Sequence, residues 1–230
     1  MLASVASSPS ARNRGPTACV ERKIAVGIQS DPDARLVLAC QHSPLTGLEG
    51  PIRELYELYK DRVYNVCYRI AGNPSDALDA SQETFGIVFR KLGEFRFESK
   101  FSSWVYRIAV NASIDLRRRS RARKLASLDA LQEQRPTHAT GRFDPSDERV
   151  EMPMAAASRH ELESEIQRAI SRLSPKLRAI TVLRYVENLS YEQISETLQI
   201  SLGTVKSRLA RAHDVLDREL TPVLDRFYLG

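Results

Sequence analysis

The stretch that decides the fold runs from Leu189 to Leu220 and reads LSYEQISETLQISLGTVKSRLARAHDVLDREL. It contains two helix starts of the same kind. Ser190 with Gln193 three residues later is the pattern of a capping box, and Ser201 can cap a second helix. The apolar residues of that second helix recur at helical spacing: Val205, Leu209, Ala212 and Leu216. Two capped helices joined by a tight turn predict a helix-turn-helix, whose second helix enters the DNA major groove.

The opposite face of the second helix carries residue types that contact phosphates and base edges: Gly203, Thr204, Lys206, Ser207, Ala210 and Arg211. An ordinary helical hairpin with a solvated basic face is the alternative, and the two capped starts favour the DNA interpretation. Gln199 occupies a turn position where glycine is common. If φ is positive there, glutamine is strained by about 1 kcal/mol relative to glycine.

The charge of the chain is concentrated in its middle third. Residues 51–130 carry 15 basic and 10 acidic side chains, an excess equal to the net charge of +5 of the whole chain. This local excess favours a polyanionic partner. Three widely spaced cysteines predict neither a disulfide framework nor a zinc site, and no stretch has the length of a membrane span. We therefore expect a cytoplasmic protein without a cofactor, a metal site or membrane insertion.

Helical patterns divide the chain into two ordered parts. Residues 1–50 predict a mostly disordered extension, in which the apolar patch at 34–40 allows one short helix. Order begins near Pro51, and Asn73 with Pro74 opens a second helix that ends at Gly93. Residues 126–159 contain three prolines and little periodicity, which predicts a flexible linker. The predicted fold is all-α, with two small helical domains (51–125 and 160–222), the second containing the helix-turn-helix, and a tail at 223–230.

The segment 94–100 places two aromatic residues beside cations. Stacking on aromatic rings next to basic groups is how proteins hold the bases of single-stranded DNA. The alternative is that one of the two rings, Phe95 or Phe97, fills the core. A helix from about Phe101 to Arg119 follows and runs into residues 117–124, of which six of eight are basic. Such a run is suited to contacting phosphates.

Two blocks of sequence resemble the extracytoplasmic-function sigma factors, small bacterial initiation factors that direct RNA polymerase to promoters. The first combines DALDASQETFGIVFRKL (76–92) with FSSWVYRIAVNASIDLRRR (101–119). The second is LSPKLRAITVLRYVENLSYEQISETLQISLGTVKSRLARAHDVL (173–216). The resemblance covers 51–220 apart from the linker, and it implies a non-enzymatic subunit of the polymerase. Gly86, inside a helix, departs from the family pattern and costs about 1 kcal/mol relative to alanine.

The resemblance also implies roles for particular residues. Asp79, Gln82 and Glu83 would dock on the clamp helices of the largest subunit of core RNA polymerase. The −10 element would be melted and captured as a single strand by Phe97, Ser99, Lys100, Arg107, Asn111 and Asp115, with Arg117, Arg118 and Arg119 on phosphates. Lys206, Ser207 and Arg211 would read the −35 duplex, while Gly203, Thr204 and Arg208 hold its backbone. An anti-sigma factor is a further partner that the resemblance allows.

Two other functions compete with this one. A conventional helix-turn-helix regulator would use the C-terminal half on DNA and the first half for sensing or dimerisation. A sensing or dimerisation domain has no need of the basic, aromatic-rich loop and the polar docking face that the segment 51–124 carries. A nuclease or recombinase could bind Mg²⁺ through Asp76, Asp79 and Glu83, but catalytic metal sites usually take carboxylates from several elements.

Overall fold

The computed structural model of the chain describes residues 28–29, 31–42, 50–130 and 153–228. All regular structure in these residues is helical, which confirms the predicted all-α class. The helices are α1 (Ala34–His42), α2 (Pro51–Ala71), α3 (Pro74–Lys91), α4 (Phe101–Ala130), α5 (Pro153–Arg172), α6 (Pro175–Tyr185), α7 (Tyr191–Leu198) and α8 (Leu202–Tyr228), with a 3₁₀ turn at Leu92–Glu94.

Helices α2, α3 and α4 pack together as the N-terminal bundle. Gly72 ends α2 in the left-handed conformation, with φ of 90°, and its N–H donates to the carbonyl of Tyr68 at 2.8 Å. Asn73 then caps α3 as predicted, because its Oδ1 accepts from the N–H of Asp76 at 2.8 Å. The reversal between the two helices is therefore fixed by local sequence.

Helix α1 is the short helix that the apolar patch at 34–40 allows, and it packs as part of the N-terminal bundle. Ala34, Val37 and Cys40 are buried where α1 packs on α2. Just before α1, Asp31 accepts a hydrogen bond from the N–H of Phe101 at 2.6 Å. This contact joins residues 70 positions apart, so the local composition of the extension gives no indication of it. Residues 1–27 lie outside the described residues.

Helices α5 to α8 form the C-terminal domain, and both predicted helix caps are present in it. The N–H of Gln193 donates to Ser190 Oγ at 3.2 Å, and the N–H of Ser190 donates to Gln193 Oε1 at 2.8 Å, completing the capping box. The N–H of Thr204 donates to Ser201 Oγ at 3.2 Å. The helix-turn-helix is thus α7 and α8, held at both starts by serine.

Three predicted boundaries differ from the observed helices. The structure extends α4 to Ala130, begins α5 at Pro153 inside the predicted linker, and extends α8 to Tyr228 through the predicted tail. Ion pairs join this end of α8 to α5: Arg172 contacts Glu219 at 2.6 Å, and Arg226 contacts Glu165 at 3.1 Å. These partners are distant in sequence, so the tail alone does not predict its helix. Residues 131–152 of the predicted linker lie outside the described residues.

The two halves of the chain are in contact, since α2 touches α5 and α6 while α4 touches α7. The side chain of Arg178, on α6, is fully buried at this contact. Its Nη1 donates to the carbonyl of Ile70 at the end of α2, at 2.6 Å. Its Nη2 donates within its own half, to the carbonyls of Ser171 and Leu173. One guanidinium therefore satisfies carbonyl groups on both sides of the contact.

A second polar group at the same contact combines Glu187, Tyr106 and Arg62. Burial raises the pKa of the Glu187 carboxyl, although the Tyr106 hydroxyl and the positive charge of Arg62 act in the opposite direction. Burial, followed by Glu187, also raises the pKa of Tyr106 far above its usual range. The contact between the halves thus contains an acid whose neutral form is favoured by burial.

Candidate nucleic-acid interface

The first turns of α8 present polar and basic side chains to solvent. Val205, Leu209 and Ala212 are at most 2% exposed and hold the helix on the domain. The reading face, Lys206, Ser207 and Arg211, lies on the other side, and all three residues are exposed. These are the residues predicted to read duplex DNA, and the structure leaves them accessible.

The residues predicted to hold the DNA backbone lie beside the reading face. Gly203 is exposed at the helix start, whereas Thr204 and Arg208 are half-exposed. The Thr204 hydroxyl lies 2.8 Å from Ser201 Oγ, so its position is fixed within the first turn. In the described ranges, none of the cations Lys206, Arg208 and Arg211 forms an ion pair, and each can pair with a phosphate instead.

A pocket of about 200 Å³ opens in the N-terminal bundle between the end of α3, the following loop and the start of α4. We call it the aromatic pocket. Its lining residues are Lys91, Glu94, Phe95, Arg96, Glu98, Ser99, Trp104 and Arg107. Two half-buried rings, Phe95 and Trp104, lie 5.1 Å apart between centroids. Aromatic faces surrounded by three cations and two carboxylates can receive a flat polar ring and the phosphates beside it.

Phe97 does not line this pocket, which corrects its predicted role in DNA binding. Its side chain is 3% exposed and its ring packs edge-on against Phe95, with centroids 4.9 Å apart. The backbone at Phe97 has φ of 54°, a left-handed conformation that is costly for a bulky residue. That conformation turns the ring into the core, so Phe95 and not Phe97 is the accessible aromatic residue of the loop.

The aromatic pocket brings together part of the predicted single-strand site. Ser99 and Arg107 line it, and Lys100 is half-exposed next to Ser99. Asn111 is exposed one turn further along α4. Sequence reasoning missed Lys91, Arg96 and Trp104 as lining residues. The aromatic and basic composition of 94–100 indicated the loop, but the lining side chains depend on the backbone conformation at Phe97.

The basic residues at the end of the predicted single-strand site have intramolecular partners. Arg118 forms an ion pair with Asp115 at 3.2 Å. Arg119 pairs with Glu83 at 3.4 Å. Arg117 is half-buried, and its Nη2 is 3.5 Å from the carbonyl of Ser171 in the other half. Its predicted phosphate contact is therefore not available in this arrangement, because the guanidinium lies at the contact between the halves.

The predicted docking residues share one face of α3. Asp79 and Gln82 are exposed and Glu83 is half-exposed. Leu78, beside them, is 52% exposed, and Gly86 continues the same face one turn later. We call these five residues the α3 face. The α3 face thus presents one apolar side chain together with two carboxylates and an amide to solvent.

The structure gives no support to the metal-site alternative. Within the part of the chain that the structure describes, no three His, Cys, Asp or Glu side chains lie close enough to hold a metal ion. The Asp76 carboxylate instead accepts a hydrogen bond from Asn73 Nδ2 at 2.8 Å. It therefore supports the cap of α3.

Both halves of the chain match known protein families. Residues 55–123 match Sigma-70 region 2, and residues 163–213 match Sigma-70, region 4. The first match includes α3, the aromatic pocket and most of α4, and the second includes the helix-turn-helix. The chain is 34% identical over 179 residues to the ECF RNA polymerase sigma factor SigW of Bacillus subtilis, covering 76% of this chain and 91% of that protein. The chain belongs to the extracytoplasmic-function sigma factors.

Other sigma factors of this family are similar over the same part of the chain. The RNA polymerase sigma-H factor of Pseudomonas aeruginosa is 33% identical over 166 residues, which span 72% of this chain and 84% of that protein. The ECF RNA polymerase sigma-E factor of Escherichia coli is 30% identical over 169 residues, spanning 73% and 85%. This sigma factor is therefore a transcription initiation factor, in a family of regulators and not of enzymes.

Two solved structures share the fold. CnrH, in complex with the cytosolic domain of CnrY, has a TM-score of 0.58 and 19% identity, covering 84% of this chain and 99% of that one. RpoE of Bartonella quintana, in complex with the anti-sigma factor NepR, has a TM-score of 0.53 and 20% identity, covering 74% and 96%. Among the described helices of this sigma factor, none is long and apolar enough to cross a membrane.

Proposed function

We propose that this sigma factor binds core RNA polymerase in the cytoplasm and directs it to promoters by reading two DNA elements in different ways. The observation that carries the proposal is the pairing of two unlike surfaces on one chain. The C-terminal domain exposes a capped recognition helix, whereas the N-terminal bundle contains an aromatic pocket with cations. The first is suited to duplex DNA and the second to an unpaired base.

The −35 element is the proposed target of α8. Lys206, Ser207 and Arg211 read base edges in the major groove, and Gly203, Thr204 and Arg208 contact the backbone. Their placement supports this role, because the N-terminal residues of a recognition helix are those that reach base edges. Arg211 has the side chain that can bond a guanine in bidentate geometry.

The −10 element is the proposed target of the N-terminal bundle. One unpaired base enters the aromatic pocket and stacks on Phe95 and Trp104. Ser99 and Arg107 provide polar contacts to that base, while Lys100 and Asn111 contact the neighbouring strand. Asp115 acts by holding Arg118, and Arg119 contacts phosphate after release from Glu83. We leave Phe97 and Arg117 out of the DNA-binding set because Phe97 is buried and Arg117 lies at the contact between the halves.

The α3 face is the proposed docking site for the clamp helices of the largest polymerase subunit. Asp79, Gln82 and Glu83 provide its polar contacts, and Leu78 adds apolar area. An inhibitory protein of the anti-sigma class is a further proposed partner. It is supported by RpoE of Bartonella quintana, a sigma factor of the same fold that was solved in complex with the anti-sigma factor NepR.

Reconstituted run-off transcription tests the proposed function. Core polymerase is incubated with genomic fragments, with and without the full chain. Protein-dependent starts from a discrete set of fragments are the expected result, and the aligned starts define the −35 and −10 sequences. Binding of the protein alone to duplex fragments without new starts would contradict the proposal and favour a conventional regulator.

A further inference from the structure

Helix α1 lies outside the residues that match the sigma factor families, yet it is bonded to the loop that forms the aromatic pocket. The family match begins at residue 55, whereas α1 spans Ala34–His42. Val37 and Cys40 are at most 1% exposed, so the helix is fixed on the bundle by its apolar side. Two polar side chains, Gln41 in α1 and Asp31 just before it, then bond to main-chain groups of the segments that build the pocket.

Gln41, in the last turn of α1, provides the first of these connections. Its Nε2 donates two hydrogen bonds, to the carbonyl of Leu92 and to the carbonyl of Phe95, each at 2.9 Å. These carbonyls lie at the two ends of the turn that follows α3. A single side-chain amide therefore fixes both ends of the turn, and Phe95 is a ring that lines the pocket.

Asp31 provides the second connection. Its carboxylate is 6% exposed, and it accepts a hydrogen bond from the N–H of Phe101 at 2.6 Å. That N–H is the first of α4, where no helical carbonyl is available to accept it. Trp104 and Arg107, which line the opposite side of the pocket, follow within the first two turns of α4.

We propose that Gln41 is a positioning residue for single-strand capture, acting through Phe95, and that Asp31 supports the other side of the pocket in the same way. This inference rests on the proposed function of the aromatic pocket. Without the amide of Gln41, two carbonyls at the turn lose a donor and the main chain at Phe95 can rotate. The ring then no longer holds a stacked base in one position against the polar side chains of Ser99 and Arg107, so discrimination between bases falls.

The experiment uses holoenzyme made from the full chain and core polymerase. The probes are single-stranded oligonucleotides that carry the −10 sequence identified by run-off transcription, and a set in which each base is replaced in turn. The measured quantity is the discrimination ratio, the affinity for the original oligonucleotide divided by the affinity for the replaced one. Gln41→Met keeps the length of the side chain without a donor, and Gln41→Glu places a carboxylate against the two carbonyls. His42→Ala, at an exposed neighbour on α1, is the matched control.

Wild type is expected to show roughly a tenfold ratio at one position of the −10 strand, the magnitude that a hydrogen-bonded contact to one base edge supplies. Both Gln41 variants are expected to bring that ratio close to one while core binding and duplex −35 binding stay unchanged. The control variant should retain the wild-type ratio. A lower folded fraction alone would weaken binding to every probe equally and leave the ratio unchanged.

Two results would overturn the inference, and only one of them would also overturn the proposed function of the aromatic pocket. If wild type discriminates and both Gln41 variants keep the same ratio, the positioning role is wrong but base capture stands. If wild-type holoenzyme shows a ratio of one at every position, the aromatic pocket selects no base, and that part of the proposed function fails together with the inference.

Discussion

Gln199 shows how one residue can carry strain in the centre of the helix-turn-helix. Its backbone has φ of 52° and ψ of 47°, the left-handed conformation that the turn requires. Its N–H donates to the carbonyl of Glu196 at 3.3 Å, and Ser195 Oγ donates to the carbonyl of Ile200 at 2.5 Å. The turn is held by these bonds although the residue between them is unfavourable.

We expect Gln199→Gly to stabilise the C-terminal domain by about 1 kcal/mol, because glycine adopts this conformation without the steric cost of a Cβ. Chemical denaturation measures the free energy of unfolding. Gln82→Gly is the matched control, since Gln82 is exposed inside α3 and the same change there should destabilise by about 1 kcal/mol. Equal destabilisation by both changes would show that the turn gains nothing from glycine.

Arg211 allows a test of the reading face at one side chain. We expect Arg211→Ala to weaken selection of the −35 sequence by about 1–3 kcal/mol, because a bidentate contact to a base is lost. Binding to promoter fragments with altered −35 bases measures the effect. Arg218→Ala removes the same charge two turns further along α8 and should lower affinity for all sequences alike. Unchanged base preference in the Arg211 variant would remove it from the reading face.

Helix α3 illustrates how one element can serve folding on one face and binding on the other. Ala77, Ala80 and Val88 are at most 1% exposed on the inner side. Gly86 is exposed on the outer side, and a Cβ added there would meet no atom within 4 Å. The glycine therefore lowers helix stability without a packing reason in the free protein.

We expect Gly86→Ala to stabilise the N-terminal bundle by about 1 kcal/mol, the difference in helix propensity between the two residues. For a chain of this size the thermal midpoint should rise by about 2–4 °C. Differential scanning calorimetry would record the shift. A lower midpoint would mean that the helix backbone at this position is constrained by something other than propensity.

Asp79 is better suited than Glu83 to a test of docking, because Glu83 also holds Arg119. We expect Asp79→Lys to weaken core polymerase binding at least tenfold by reversing a charge on the α3 face. Asp225→Lys, an equal change at an exposed position near the end of α8, is the control. Titration of labelled protein with core polymerase measures both, and equal affinities for the two variants would remove Asp79 from the docking site.

At the scale of the whole molecule, the contact between the halves sets a geometric condition on the proposed function. Elements centred near −35 and −10 are about 25 base pairs apart, or roughly 85 Å along B-form DNA. Domains of this size have a radius of gyration of only about 11 Å, so two halves in contact do not span that distance. One chain can occupy both elements only after the contact through Arg178 and Glu187 is broken.

We expect the contact between the halves to depend on pH, because burial raises the pKa of the Glu187 carboxyl. Because the pKa is raised in the folded state, the protonated acid favours the closed contact. That contribution is fully present below the ordinary pKa of a glutamate and is lost as pH rises through the raised value. As the pH rises from the ordinary pKa of a glutamate through the raised pKa of Glu187, we expect the radius of gyration of the wild-type protein, measured by X-ray scattering, to increase. Glu187→Gln should abolish the increase, whereas the exposed control Glu196→Gln should retain it.

Local sequence predicted the elements whose contacts are local. The caps at Asn73, Ser190 and Ser201 each depend on the residue three positions later, and all three are present. The inward turn of Phe97 and the docking of α1 depend instead on contacts across the bundle. The bond from Arg178 to Ile70 joins residues 108 positions apart, and no periodicity in a sequence encodes it.

The ion pair between Glu83 and Arg119 has a consequence for the energetics of assembly. It joins the α3 face to the cationic end of α4, and both side chains are substantially exposed. In the free protein Glu83 acts as an intramolecular counterion for Arg119. An exposed pair at 3.4 Å is worth less than about 1 kcal/mol, so either a polymerase subunit or a phosphate can replace one member at little cost. When polymerase occupies Glu83, Arg119 loses its counterion, and when a phosphate occupies Arg119, Glu83 loses its own. The ion pair is therefore broken only once when both partners bind. Binding of polymerase and of DNA is thus thermodynamically linked, and the complex of all three is favoured over either complex of two.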